Sequence, residues 1–454
     1  MSKRNGFYPR PGVDVAGSVV VSQAGGLLLT ETIRTVGLDR ALSLALSRWR
    51  KPLAVHDPAK VVCDLAVALG LGGDCLADIA VLRAEPGVYG LVASDPTVSR
   101  AVDTLAKDAD RVLAAIDAAR AAARAAAWRL AGGHAPDHGA DAEHPLIVDL
   151  DATLVESHSD KQGAAPTFKK GYGFHPLWAF VDHGSEGTGE PLAVLLRAGN
   201  AGSNTAADHI TVARAALKQL PGHQRGRRPG RRVLIRADGA GATHDFLGWV
   251  SGQRMSYSVG FTLPDGFGDK LRLIPDHVWA PALDADGGIR DGAFVAEVTG
   301  LLNLTSWPAG MRVIVRKERP TPGRSCGSPT WTATGSPRSP PTPVAGSSRD
   351  WSCGTGNGPA RRTGSAARRT PGCSTCRCTT WTRTGSGAPS SPWPASSPRG
   401  RRCSALTGHE ARRWEPKRLR LRLFSIPAGS PPPGGAPSCT YPATPPNQSW
   451  ESFI

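Results

Sequence analysis

Between residues 321 and 403 the chain contains no Leu, Ile, Met, Phe, Tyr, Lys, Glu, Gln or His. It is mostly Arg, Ser, Thr, Gly, Pro and Ala, with four Trp and six Cys. A stretch with so little aliphatic surface cannot bury a core of its own. Natural disordered linkers rarely carry so many Trp and Cys, and the composition is that of a GC-rich gene translated out of frame. The alternative is a genuine Ser/Arg/Pro-rich tail. Residues 406–427 read as ordinary protein again, and from Gly429 the chain returns to Pro and Ser. The fold therefore has to be built from the first 320 or so residues. The break also disarms two global signals. Of the net charge of +16, +11 falls in 321–403 and +3 in 404–454, leaving +2 for residues 1–320. The overall charge thus says little about nucleic-acid binding by the folded part. Six of nine Cys lie in the same odd segment and are not a disulfide set.

What remains is long enough for a sizeable core. No apolar run approaches about 18 residues, so no membrane span is expected. The start, Met1-Ser-Lys-Arg-Asn-Gly-Phe-Tyr-Pro-Arg10, lacks the apolar segment of a secretory signal, and a cytoplasmic location is expected. Residues 1–106 read as short helices: 27–46 with a break at Gly37, 60–71 ending at Gly72-Gly73, one from Cys75, and one opened by Ser94-Asp-Pro. The last fits a helix-turn-helix reader with Thr97, Ser99 and Arg100 near its start, although an ordinary packed helix pair has the same spacing. Cys63 and Cys75, in helical segments, read as buried thiols. An Ala-rich helix spans 108–131, and a Gly/His/Pro linker places a boundary near 140.

Beyond it stands Pro145-Leu-Ile-Val-Asp-Leu-Asp-Ala-Thr-Leu-Val155, an apolar run with two carboxylates. Alternate residues of a strand share a face, so Asp149 and Asp151 stand side by side, a costly arrangement unless they are paired or hold a metal. Further strands are expected at 176–182, 191–197, 232–237, 256–262, 293–298 and 312–317, and helices at 205–219 and 243–253. Three strands, a helix, a strand, a helix and a strand is the order of an RNase-H-like α/β domain. The expected division is a helical N-terminal DNA-binding domain and linker over 1–140, an RNase-H-like domain with an inserted β region over 141–319, and a disordered or out-of-frame region over 320–454.

Asp238 closes the strand Val233-Leu-Ile-Arg-Ala-Asp238 before a tight Gly239-Ala-Gly241 turn. In the inferred topology it lies on the strand next to Asp151. Two such carboxylates suit Mg²⁺ or Mn²⁺, hard ions that take oxygen ligands, and a two-metal site can drive in-line phosphoryl displacement. An N-cap role for Asp238 is the simpler alternative. The run Asp149-Leu-Asp151-Ala-Thr153 also resembles motif I of the haloacid-dehalogenase phosphatases, which implies Asp149 as nucleophile and Asp151 as general acid. The rest of that family's pattern is missing: a helical domain precedes the motif, and no later acid pair follows.

A second resemblance covers residues 15–319. Ala24-Gly-Gly-Leu-Leu-Leu, Gly72-Gly-Asp-Cys-Leu-Ala-Asp-Ile, Ala93-Ser-Asp-Pro-Thr-Val-Ser-Arg and Asp151-Ala-Thr153 are similar to segments of DDE-type insertion-sequence transposases of the IS-thirteen-eighty branch, in the IS-four-like clan. So are Tyr172-Gly-Phe-His-Pro-Leu, Leu196-Arg-Ala-Gly-Asn200 and Arg236-Ala-Asp238-Gly. The resemblance implies Asp151 and Asp238 as the first two catalytic, metal-binding acids of Mg²⁺-dependent DNA cleavage and transfer. Asp149 is then a neighbour of the site, and 196–205 shape its rim. The implied partners are the element's terminal inverted repeats, target DNA and a second copy in a synaptic homodimer. Lys169 and Lys170 are candidates for DNA contacts near the acids, Arg100 for the helical domain, and Arg225, Arg227 and Arg228 for phosphate contacts from the basic run 223–232, which a solvated loop explains equally well.

The family's third acid lies in a pattern like Glu-Asp-Arg-Ile-Arg, followed by Lys-Asp-Thr-Gly-Leu, and nothing like it occurs here. Read one base late, codons for those two patterns yield Arg-Thr-Gly-Ser and Arg-Thr-Pro-Gly-Cys, and the chain has Arg362-Thr-Gly-Ser365 and Arg369-Thr-Pro-Gly-Cys373. The expectation is a glutamate codon lying out of frame under Arg362, with the frame lost near 321, regained near 404 and lost again near 428. The chain as written would then be an inactive transposase, or a remnant that only binds DNA.

Overall fold

The computed structural model describes residues 6–9, 12–14, 19–21, 23–184, 189–203, 205–223, 226–283, 288–318, 331–335, 416–424, 428–430 and 438–440. After two short strands, β1 (Gly12–Asp14) and β2 (Val19–Val21), come seven helices. These are α1 (Leu27–Thr35), α2 (Leu38–Ala45), α3 (Pro58–Leu71), α4 (Ala80–Arg83), α5 (Pro86–Tyr89), α6 (Asp95–Ala106) and α7 (Ala109–Ala131). Local chemistry sets their ends. The turn between α1 and α2 needs the left-handed backbone of Gly37, at φ 69°. Asp57 caps α3 by accepting the Ala59 N–H at 2.8 Å, and Pro58 fills its first position. Gly72, at φ 115°, ends α3 while the Gly73 N–H returns to the Ala68 carbonyl at 2.9 Å. Cys63 is buried as its helical position implied. Cys75 is exposed instead, because it heads the turn before α4 rather than lying inside a helix.

The second half is built on one sheet of nine strands. In chain order they are β3 (Leu146–Ala152), β7 (Leu177–Val181), β8 (Glu190–Leu195), β9 (Val233–Ala237), β10 (Ser256–Phe261), β11 (Ala280–Leu283), β12 (Ile289–Glu297), β13 (Met311–Glu318) and β14 (Trp331–Gly335). Their spatial order is β11-β12-β13-β14-β10-β9-β3-β7-β8. β3, β9 and β10 run parallel, and the other pairings are antiparallel. Between β3 and β7 the chain makes a small separate sheet from β4 (Val155–Glu156), β5 (Ala165–Pro166) and β6 (Tyr172–Phe174). Helices α8 (Ala206–Gln219), α9 (His244–Gly252) and α10 (Phe267–Arg272) follow β8, β9 and β10. Period-two alternation assigns the faces. Leu146, Val148 and Leu150 of β3, with Val233 and Ile235 of β9, share one buried cluster with Val212, Ala213, Phe246, Leu247 and Val250 of the helices. The opposite face of β3 carries Ile147, Asp149 and Asp151, only partly buried.

Two hydrophobic clusters divide the described residues, and α7 belongs to both. Its Val112, Ile116, Ala119 and Ala123 enter the helical cluster, whereas Trp128 and Ala131 enter the sheet cluster. Polar groups fasten this helix to the sheet. Arg124 Nε donates to Glu190 Oε1 at 2.7 Å, its Nη1 to Gln219 Oε1 at 2.5 Å and its Nη2 to the Pro191 carbonyl at 3.0 Å. Trp128 Nε1 donates to Glu190 Oε2 at 3.2 Å. Glu190 is driven down to about 2: burial opposes its charge, and Arg124 and His183 more than offset that.

The expectation of an unstructured segment after 320, outside the stretch 406–427 that read as ordinary protein, needs correction at β14 and at the two short strands after residue 427. The residues of β14 lie between β13 and β10 as a central strand; a strand takes its place by backbone hydrogen bonding, for which composition is a poor guide. Further on, a short helix α11 (Pro416–Leu419) continues into a π-helical turn over Arg420–Phe424. Leu419, Leu423 and Phe424 are buried in the helical cluster. Arg420 reaches the Leu69 and Gly70 carbonyls at the end of α3, at 3.2 and 3.4 Å. Finally, β15 (Ala428–Ser430) and β16 (Ser438–Thr440) form a small sheet with β1 and β2.

Candidate active site

The register of β3 on β9 decides which acids meet. Asp149 lies opposite Arg236, and Leu150 opposite Ala237. One step further along the parallel pair brings Asp151 level with Asp238, on strands about 4.8 Å apart. Both acids thus stand at the carboxyl ends of neighbouring central strands, where open α/β sheets place their ligand sites. Asp238 does cap the turn Gly239–Gly241, since its Oδ1 accepts the Ala240 N–H at 2.9 Å. That bond occupies one oxygen and orients the carboxylate.

The pair is electrostatically strained. Burial, then the charge of Asp238, and more weakly that of Asp149, push the Asp151 carboxyl up to about 6 against the lowering effect of the Ala152 N–H. A carboxyl held this way next to another is a group prepared for a cation or a proton.

Asp149 has a different role. Arg236 Nε and Nη2 donate to its two oxygens at 2.5 and 2.8 Å, and Nη2 also donates to Asp182 Oδ2 at 2.9 Å. A bidentate guanidinium neutralises it and engages both oxygens. A phosphatase nucleophile needs an unencumbered carboxylate, so the phosphatase reading of Asp149 is not favoured. The i, i+2 spacing did place Asp149 and Asp151 on one face, but Arg236, on the next strand, pairs with Asp149 and gives the two carboxylates different surroundings.

Two histidines that the residue-level reading passed over border the acids. His175 follows β6, and its Nδ1 lies 3.2 Å from the Ala201 carbonyl. His209 sits in α8 with Nδ1 2.9 Å from the Thr205 carbonyl and its ring 5.3 Å from that of Phe246. In each case the carbonyl calls for an Nδ1–H donor, which leaves the Nε2 lone pair free of that proton. Burial lowers both pKa values, with Arg197 lowering and Asp238 raising them. Arg197 is the buried tie of this rim: Nε donates to the His175 carbonyl at 2.9 Å, and Nη1 to the Gly202 carbonyl at 3.1 Å and Asp208 Oδ2 at 3.2 Å. Both Arg197 and His175 fall inside motifs legible in the sequence; their mutual bond does not.

The remaining candidates scatter. Lys169 and Lys170 are exposed on the turn between β5 and β6, and Lys169 and Asp238 both act on His175. Arg227 and Arg228 lie before β9, at its amino end. A strand of five residues puts them roughly 17 Å from the end that carries Asp238, so the basic loop and the acids do not form one site. Arg225 and Arg362 lie outside the described residues. Arg100 is exposed on α6, its Nη2 3.0 Å from Thr97 Oγ1. Among the described residues no group of three or more His, Cys, Asp or Glu is arranged to hold a metal ion. Nor is any single helix long and apolar enough to cross a membrane.

Comparison with known proteins gives a family. The model of the transposase DDE domain, group 1, matches residues 4–342. No curated protein matches. Among solved structures, a cryo-EM piggyBac transposase synaptic complex with hairpin DNA aligns with 69% of this chain at 11% identity and a TM-score of 0.29. The alignment covers 60% of that chain, less than two thirds of its length. With three quarters of its residues inside the family match, this chain belongs to the group 1 transposase DDE domain family.

Proposed function

We propose that this chain is an insertion-sequence transposase of the IS-thirteen-eighty branch, with an RNase-H-like catalytic domain that cuts and joins DNA at the ends of its own element. The observation that carries the reading is the level placement of Asp151 and Asp238 on adjacent parallel strands, with the Asp151 carboxyl raised by burial and then by its neighbour. Their oxygen donors suit Mg²⁺ or Mn²⁺. When bound, such an ion supplies charge stabilisation to the attacking and leaving oxygens of a phosphodiester. The protein's own part is positional. Asp238 is held by the Ala240 N–H. Arg236 removes the charge of Asp149 from competition for the ion. Residues 1–140, with Arg100 on α6, recognise the element ends as a separate helical domain. Lys169 and Lys170 hold DNA beside the acids, and Arg225, Arg227 and Arg228 contact phosphates further away. A homodimer joins two ends in the synaptic complex.

A third acid is needed, and none joins the pair among the described residues. We assign it to the codon under Arg362 in a shifted frame, so the chain as written does not complete strand transfer. The test uses the protein and its gene together. Element-end DNA is incubated with this polypeptide in Mn²⁺, and with a polypeptide translated from the shifted frame across 321–403. Cleavage by the second and not the first is expected, abolished by Asp151→Asn or Asp238→Asn. Strand transfer by the first would refute the inactivity, and stop codons in the shifted frame would refute the frame assignment.

A further inference from the structure

We propose that Phe168, at the tip of the turn between β5 and β6, is a base-contacting residue that stacks on an unpaired base at the DNA end, with Lys169 and Lys170 holding the flanking phosphates. The inference rests on the transposase reading and adds to it a residue of specified chemistry. Phe168 is 66% exposed, the more exposed of two phenylalanines that stand out from the described surface, the other being Phe294 at 37%. Lys169 Nζ lies 5.6 Å from the centre of its ring, and Lys170 is the next residue. An aromatic face flanked by cations is the combination that binds unstacked nucleotides: the ring takes the base and the ammonium groups take the phosphates.

The tip is held rigidly. The Thr167 N–H bonds to the Gly171 carbonyl at 2.9 Å and the Lys170 N–H to the Thr167 carbonyl at 3.0 Å, while the Gly171 N–H bonds to Thr167 Oγ1 at 3.1 Å. Lys170 adopts a left-handed backbone, φ 62°, which costs a non-glycine residue energy and persists where its surroundings over-determine it. The small sheet behind the tip is locked down by two close backbone approaches. A Cβ on Gly173 would fall 2.1 Å from the Val155 carbonyl oxygen, and one on Gly199 would fall 2.2 Å from that of Ala165. The His175 N–H bonds to the Arg197 carbonyl at 3.1 Å, which joins this sheet to the end of β8.

The tip also stands at the correct end of the main sheet. β3 runs through Asp151 and on past Thr153, whose N–H bonds to the Pro176 carbonyl at 3.1 Å, before entering β4. The Phe168 ring lies 5.7 Å from the ring of His175, which feels the charges of both Lys169 and Asp238. Phe168 thus packs against a histidine that the charge of Asp238 also reaches. A preformed stacking face offsets part of the cost of unpairing the terminal base.

The test reads binding alone, in EDTA, so that cleavage is not required. Two short duplexes are compared with the full chain: one fully paired, and one with an unpaired 2-aminopurine at its end. Binding of the unpaired-end duplex with strong quenching of the 2-aminopurine is expected. Phe168→Ala should remove the quenching and weaken that duplex by about ten-fold while barely affecting the paired one, and Phe168→Trp should restore both signals. Lys169→Ala and Lys170→Ala should weaken both duplexes alike and each lower the salt slope by about one. Quenching that survives Phe168→Ala, or a Phe168→Ala effect confined to self-association of the protein, would overturn the assignment. Failure to bind either duplex would instead overturn the transposase reading, and this inference with it.

Discussion

Asp151 is the residue at which a functional arrangement should be measurable as lost stability. Its carboxyl is raised from 3.8 to about 6. A group whose folded pKa exceeds its unfolded value binds protons more tightly when folded, so stability falls as pH rises through the window between the two values. Below about pH 3.8 the group is neutral in both states and costs nothing. Above about pH 6 the folded protein carries a charge it disfavours. One pH unit corresponds to about 1.36 kcal/mol, so the cost has a ceiling of about 3 kcal/mol at pH 7.5 and about 1 kcal/mol at pH 4.5. Partial solvent access lowers both figures. Asn keeps the shape and an acceptor for the Ala152 N–H but removes the charge. Asp151→Asn should therefore stabilise the metal-free protein by about 1.5–3 kcal/mol at pH 7.5, and by about a third of that at pH 4.5. Urea unfolding in EDTA at the two pH values, on wild type and variant, measures it. A destabilised variant at pH 7.5, or an equal gain at both pH values, would refute the account of a strained carboxylate pair.

Three further outcomes follow from the same structure. Added Mg²⁺ or Mn²⁺ should raise the melting temperature of the wild type at pH 7.5, by mass action on a site formed only in the folded state, and Asp151→Asn and Asp238→Asn should each abolish the shift. Arg236→Ala removes a partner of both Asp149 and Asp182 and should cost about 2–3 kcal/mol in urea unfolding; a loss below about 0.5 kcal/mol would show the triad to be ornamental. Phe424→Ala should cost about 3–4 kcal/mol and expose the helical part to protease, because that ring, with Leu419 and Leu423, completes a core otherwise made by residues some three hundred positions earlier; an unchanged protein would mean the segment does not dock there.

Much of this protein was legible in its sequence wherever the signal is local. Strand and helix positions between 146 and 318 follow from period-two and period-3.6 apolar patterns closed by Gly and capping residues, and the structure places elements within a few residues of each expectation. The two acids were legible for the same reason, each ending an apolar strand at a Gly- or Thr-containing turn. Composition also marked 406–427 as a return to ordinary protein, and it is within this stretch that Leu419, Leu423 and Phe424 are buried.

Other features depend on register and distance in space, which no local pattern encodes. Pairing Asp149 with Arg236 needs the alignment of two strands more than eighty residues apart. Removing the basic loop from the acids requires knowing at which end of β9 each lies. Placing Phe168 beside His175 takes the folding back of a small sheet whose strands are two or three residues long. A poor composition over 321–403 hid β14, because a strand is held by its backbone and its neighbours supply the core. Side-chain chemistry written along the chain determined which elements form and which residues could carry charge; the long-range pairing of strands, reached only on folding, decided which of those charges meet.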